Sequence, residues 1–188
     1  MKVHHITPGR SDLNFGKAIN DLIKGLPNED WIVLRDIDTV PLLHKEFIWQ
    51  CEQIALTTPY DLISCMTNRI GLKHQLYKGI FSEDFNMLNH KEIAKELYNN
   101  HKLEVVKSKG MVAGVMMMFS VKTWKRVNGF NEGAIKIGGA FIDYLFCRKV
   151  LRIGGKIGVA KGIYLFHAYR MGEQNPRKQR KHLTTKIN

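Results

Sequence analysis

The chain has 188 residues, with 29 Lys and Arg against 17 Asp and Glu and a formal net charge of +12. A hydrophobic share of 44% beside 24% charged residues, spread along the whole length, supplies a core and excludes a disordered chain. No apolar run approaches the roughly 18 residues of a membrane span, the longest being Val115 to Phe119.

In chain order, Lys2 to Ile6 predicts a short opening strand that ends at the turn chemistry of Thr7-Pro8-Gly9. Phe15, Ile19, Leu22, Ile23 and Leu26 then recur at helical spacing, with Asn14 as N-cap and Gly25 to Pro27 as the stop. Trp31-Ile32-Val33-Leu34 is an unbroken apolar run between turn signals, the pattern of a strand buried on both faces. It breaks into Arg35-Asp36-Ile37-Asp38-Thr39, which sets two carboxylates at a strand's C-terminal end, where open α/β sheets place their ligands.

Lys45 to Leu56 has helical spacing, and Asp61 to Met66 predicts the next strand, so the rhythm alternates as in an α/β domain. Thr67 to Asn89 carries no clear period and is too long for a plain connection; loops of that length are usually functional or mobile. His90 to Asn100 reads as a helix, Leu103 to Lys107 as an edge strand and Met111 to Val121 as an apolar strand. Val121 to Val127 makes a turn or two of helix before the turn Asn128 to Glu132. Ile142 to Ile153 returns to helical spacing and stops at Gly154-Gly155, and two short strands follow, Lys156 to Val159 and Ile163 to Phe166.

Cys51, Cys65 and Cys147 are an odd number, lie far apart and form no Cys-x-x-Cys pair, so they read as reduced packing thiols. Met1 to Arg10 lacks the apolar stretch of a signal peptide, which makes a cytoplasmic location the expectation. The positive charge calls for an anionic partner: nucleic acid, an anionic membrane surface or a phosphorylated small molecule. Part of it is concentrated in Arg177 to His182, which reads as a solvated tail over 173–188 behind a single domain over 1–172.

Asp36-x-Asp38 is the sharpest chemical feature, because two carboxylates so spaced direct oxygens at one hard cation, which in turn binds a diphosphate. The same tripeptide also caps turns. His167, after the last strand, is either a packed histidine or a ligand that suits manganese beside carboxylates. Asp143 either favours the N-terminus of its helix or serves as a general base. Phosphate-binding, dinucleotide and nucleophile-elbow motifs are absent, as is zinc spacing.

Asn14-Phe15-Gly16-Lys17-Ala18-Ile19-Asn20, Asp30 to Asp38, Trp124 to Glu132, Asp143 with Cys147-Arg148-Lys149, and His167-Ala168-Tyr169-Arg170 occur in the order of the family 2 glycosyltransferases, which the chain resembles from about residue 14 to 170. That resemblance implies a GT-A type, Rossmann-like mixed sheet flanked by helices, here a compact variant with a shortened N-terminal part. It implies a nucleotide-sugar donor, foremost a UDP-sugar, held at Asp36, Asp38, Lys17 and Arg170, and manganese or magnesium held by Asp38 and His167. It further implies Asp143 as the base that activates an acceptor hydroxyl on a glycan, glycolipid or protein, with inversion at the anomeric carbon. Ile142 stands where the family has a Glu before that aspartate. The segment 67–89 would then be a lid or acceptor loop, and the basic tail would contact an anionic membrane surface. The rival readings are a nucleic-acid-binding basic protein, for which no aromatic-basic motif is found, and a catalytically silent relative.

Overall fold

The structure is a computed structural model that describes residues 1–8, 14–132 and 142–168. It is an α/β arrangement in which helices flank an open, mixed sheet of seven strands. The strands are β1 (Val3–Ile6), β2 (Trp31–Arg35), β3 (Thr39–Pro41), β4 (Leu62–Thr67), β5 (Val105–Lys107), β6 (Met116–Ser120) and β7 (Ile157–His167). The helices are α1 (Phe15–Ile23), α2 (His44–Thr57), α3 (Met87–His101), α4 (Val121–Arg126) and α5 (Ile142–Arg152). No helix among the described residues is long and apolar enough to cross a membrane.

The strands run in the order β1-β2-β6-β4-β7-β3, and β5 also pairs with β7. β1 is parallel to β2 and β4 to β7, while β6 lies antiparallel between β2 and β4. Side chains on a strand alternate between its two faces, and the core divides accordingly. Ile32, Leu34, Leu62, Met66, Met117 and Phe119 join residues of α1, α3 and α5 in one cluster. Val33, Ile63, Cys65, Met116 and Met118 join Phe47, Cys51, Ile54 and Ala55 of α2 in the other. Three aromatic rings of the first cluster, Phe119, Phe130 and Phe146, pack with centroids 4.2–5.7 Å apart, Phe130 stacked on Phe146 and Phe119 edge-on or tilted to both. The three cysteines are buried and free; burial raises their thiols, Cys147 to about 12, and keeps them protonated.

Three sequence expectations need correction. The two short strands near the end are one strand of 11 residues. Cys65 faces Ala160 but Met66 faces Tyr164, so 161–163 form a bulge, and an odd number of extra residues exchanges the faces of everything beyond it. Ile157 and Val159 lie in the first cluster, whereas Ile163 and Leu165 lie in the second. That slip in alternation is what made one strand look like two. Second, the expected strand over Met111 to Val121 shortens to Met116–Ser120. Third, β3 was not foreseen; it pairs antiparallel with the end of β7, Thr39 opposite His167.

The segment 67–89 holds two 3-10 turns, Lys73–Gln75 and Tyr77–Gly79. Its first part is built into the core. Gln75 is fully buried, its amide donating to Ser64 Oγ (2.7 Å) and accepting from the Ala113 N–H (2.7 Å).

α1 starts where expected: the Asn14 side chain accepts from the Lys17 N–H at 3.0 Å and satisfies one of the first-turn donors. The helix lies against the turn 128–132, where Asn20 bonds the Phe130 N–H (2.8 Å), the Phe130 carbonyl (3.0 Å) and Trp124 Nε1 (3.0 Å). Gly16 permits that approach, since a Cβ there would sit 2.0 Å from the Asn131 carbonyl oxygen. Gly16→Ala is therefore expected to destabilise the fold by about 1–3 kcal/mol through overpacking, read as a lower urea midpoint at unchanged slope, whereas Gly25→Ala, which meets nothing within 4 Å, leaves the midpoint near that of the parent.

Candidate metal centre

β2 delivers its backbone to the C-terminal edge of the sheet, and the chain turns there at once. Thr39 closes the turn on the Asp36 carbonyl with its N–H (3.2 Å) and its hydroxyl (2.7 Å). Ile37 stands at the corner, 70% exposed. Asp36 and Asp38 flank it, both half-buried. The Asp36 N–H donates to the Val115 carbonyl (3.4 Å) and the Ala168 N–H to the Asp38 carbonyl (2.9 Å). The turn is thereby tied to both β6 and β7.

His167 ends β7 and is buried. Its Nδ1 lies 2.8 Å from the Arg69 carbonyl oxygen. A carbonyl only accepts, so Nδ1 carries the proton, and in the neutral ring Nε2 is left with its lone pair. Nε2 faces Asp38 Oδ1 at 3.3 Å. A carboxylate oxygen and an imidazole nitrogen so placed both direct electron pairs at the space between them.

Ligand atoms of Asp36, Asp38 and His167 all lie within 4.8 Å of one another. Oxygen-ligated cations hold their ligands at about 2.0–2.6 Å, so ligands of one ion lie up to about 4–5 Å apart, and the three atoms suit a single centre. Two carboxylates with one imidazole are hard-to-borderline ligands appropriate to manganese. The donor set could therefore hold a metal ion.

Asp143 lies in the first turn of α5. Its Oδ2 accepts from the Gly114 N–H (2.9 Å) and its Oδ1 from the Tyr144 N–H (2.8 Å). Burial raises its carboxyl above the ordinary 3.8, and the two backbone N–H bonds oppose that rise. Gly114 precedes Val115, whose carbonyl holds Asp36, so a short stretch of backbone joins the aspartate of α5 to the turn of β2. A Cβ on Gly114 would lie 3.2 Å from the Asp143 Cβ.

Lys17 is exposed on α1 and pairs with Asp21 one turn further on. Arg170 and the basic tail lie outside the described residues. The sequence reading did not recognise Asn68 and Arg69 as supports for His167. Asn68 Oδ1 accepts from the His167 N–H (2.7 Å) and its Nδ2 donates to the His167 carbonyl (3.3 Å). The Arg69 guanidinium lies over the rings of Phe81 (5.1 Å) and Phe85 (4.9 Å). The sequence marked Asn68-Arg69 only as part of a candidate lid or acceptor loop, because polar side chains after a strand ordinarily mark a turn. No protein-family model matches the chain, and no curated protein sequence matches it.

Titration with Mn²⁺, followed by loss of the electron paramagnetic resonance signal of the free ion, is expected to give one site per chain. Asp38→Ala should abolish it and His167→Ala should weaken it. A wild-type protein that leaves the free-ion signal unchanged would overturn the metal centre.

Proposed function

We propose that the protein is a metal-dependent glycosyltransferase of GT-A type that moves a sugar from a nucleotide-diphosphate sugar to an acceptor hydroxyl. The observation that supports this most is the convergence of Asp36, Asp38 and His167 at the C-terminal end of β2. Beside it stands the resemblance to family 2 glycosyltransferases carried by Asp36-x-Asp38, Trp124 to Glu132, Asp143 and His167.

In this reading Asp38 and His167 hold manganese or magnesium, and Asp36 faces the same centre or the donor ribose. When bound, the cation offsets negative charge on the diphosphate. The donor proposed first is a UDP-sugar, with Lys17 and Arg170 as further donor contacts, and the acceptor is a glycan, glycolipid or protein hydroxyl. Asp143 takes the proton of that hydroxyl while its oxygen forms the new bond to the anomeric carbon. The bond from that carbon to the diphosphate oxygen breaks as the diphosphate leaves with the electron pair, which inverts the configuration. Each carboxylate oxygen has two lone pairs, so the N–H groups of Gly114 and Tyr144 orient Asp143 and leave it able to accept a proton. The basic tail would favour an anionic surface near the acceptor.

The first test is thermal stability in the presence of UDP, GDP, CDP and their sugars with Mn²⁺. One nucleotide at a hundredfold excess over its Kd should add about 2.7 kcal/mol, a shift of several degrees in Tm, and a chelator should remove it. A flat response to every nucleotide overturns the reading.

Asp143→Asn should then lower the transfer rate by about 10²–10⁴-fold with the nucleotide-induced shift retained. Because the base must be ionised and burial raises its carboxyl, wild-type transfer should fall as pH drops through a value above 3.8. Loss of the nucleotide shift in Asp143→Asn would assign Asp143 to donor binding instead.

A further inference from the structure

We propose that Asn68 is a positioning residue that aims the His167 imidazole at the cation, an inference that rests on the metal-dependent reading of the Asp36, Asp38 and His167 site. β4 ends at Thr67, which pairs with Leu165. Beyond that point β7 has no main-chain partner from β4 for the N–H and carbonyl of His167, and the Asn68 side chain takes the place of the missing strand. Its amide matches both groups in donor sense: Oδ1 accepts from the N–H at 2.7 Å and Nδ2 donates to the carbonyl at 3.3 Å. The His167 N–H can only donate, which fixes that end of the amide as oxygen, and Thr67 Oγ1 donates to the same Oδ1 at 3.2 Å. Asn68 is 1% exposed, so no water competes for these bonds.

The next residue completes the grip. The Arg69 carbonyl accepts the imidazole Nδ1–H at 2.8 Å, so the dipeptide Asn68-Arg69 binds His167 by main-chain N–H, main-chain carbonyl and ring. On the other side β3 sits opposite His167 and brings Asp38 alongside. A ligating histidine whose second nitrogen donates to a carbonyl is held in one tautomer and one orientation, and loss of such outer contacts commonly weakens metal binding about 10–100-fold. Alanine at 68 removes the bonds that set the backbone of His167. Aspartate keeps the shape but puts a carboxylate oxygen against the His167 carbonyl, so it should act in the same direction.

The test is Mn²⁺ affinity by paramagnetic resonance of the free ion, measured for the whole folded chain with no sugar transfer involved. Asn68→Ala and Asn68→Asp should each raise the Kd about 10–100-fold. Gln75→Ala is the control, since it removes another fully buried amide of the same segment that bonds Ser64 and Ala113 and does not touch His167. It should lower thermal stability and leave the Kd near the wild-type value. Wild-type affinity in a folded Asn68→Asp chain, or an equal loss in Gln75→Ala, overturns the assignment while leaving the metal centre standing. Absence of Mn²⁺ binding in the wild type overturns the metal reading itself and this inference with it.

Discussion

The candidate site depends on the way β7 is shared. Its first half is held between β4 and β5, and its second half between β4 and β3. The bulge at 161–163 separates the two halves and exchanges the faces of the strand. Beyond it His167 has the parity of Ile163 and Leu165, which pack in the cluster of α2. Gln50 of α2 donates to the Gly162 carbonyl at 2.9 Å, and a Cβ on Gly162 would lie 2.5 Å from the His101 carbonyl oxygen. The bulge is thus fixed by a buried amide and by the close approach of the end of α3. Without it the imidazole of His167 would take the opposite parity, away from its present relation to Asp38.

Most of the elements were legible because their physical signals are local. The Asn14 cap, the stripe of α1 and the apolar runs of β2, β4 and β6 are spelled out in neighbouring residues, and each produced its element. The carboxylates of Asp36 and Asp38 were legible for the same reason, as an abrupt change of polarity at the end of a buried strand. What could not be read was everything set by pairing at a distance. β3 has three residues and one buried side chain, too few to carry a period, and it exists because β7 offers it an edge. Asn68 and Gln75 look like loop polarity until the groups they satisfy, on β7, β4 and the approach to β6, are in place.

The site also explains why an unpatterned stretch can be indispensable. Buried polar groups must find partners or lose about 1–3 kcal/mol each, and the start of the segment 67–89 supplies partners where the regular sheet cannot. Gln75 spans from Ser64 to Ala113, and Asn68 continues the edge of β4 by side chain alone. The bonds of Asn68 hold the backbone of His167, and those of Gln75 join β4 to the approach to β6, without giving the segment a period that sequence alone would reveal.

The backbone that carries Asp36, Asp38 and His167 is over-determined. Asp36 is tied to β6 through Val115, Asp38 to β7 through Ala168, and His167 to the dipeptide after β4. Three strands from different parts of the chain therefore hold the ligand atoms within 4.8 Å of one another, and none can withdraw without breaking main-chain bonds. Such prearrangement moves the ordering cost from the moment of binding to the folding of the sheet. It favours a site of fixed geometry, in which the three side chains keep their relation whether or not anything is bound.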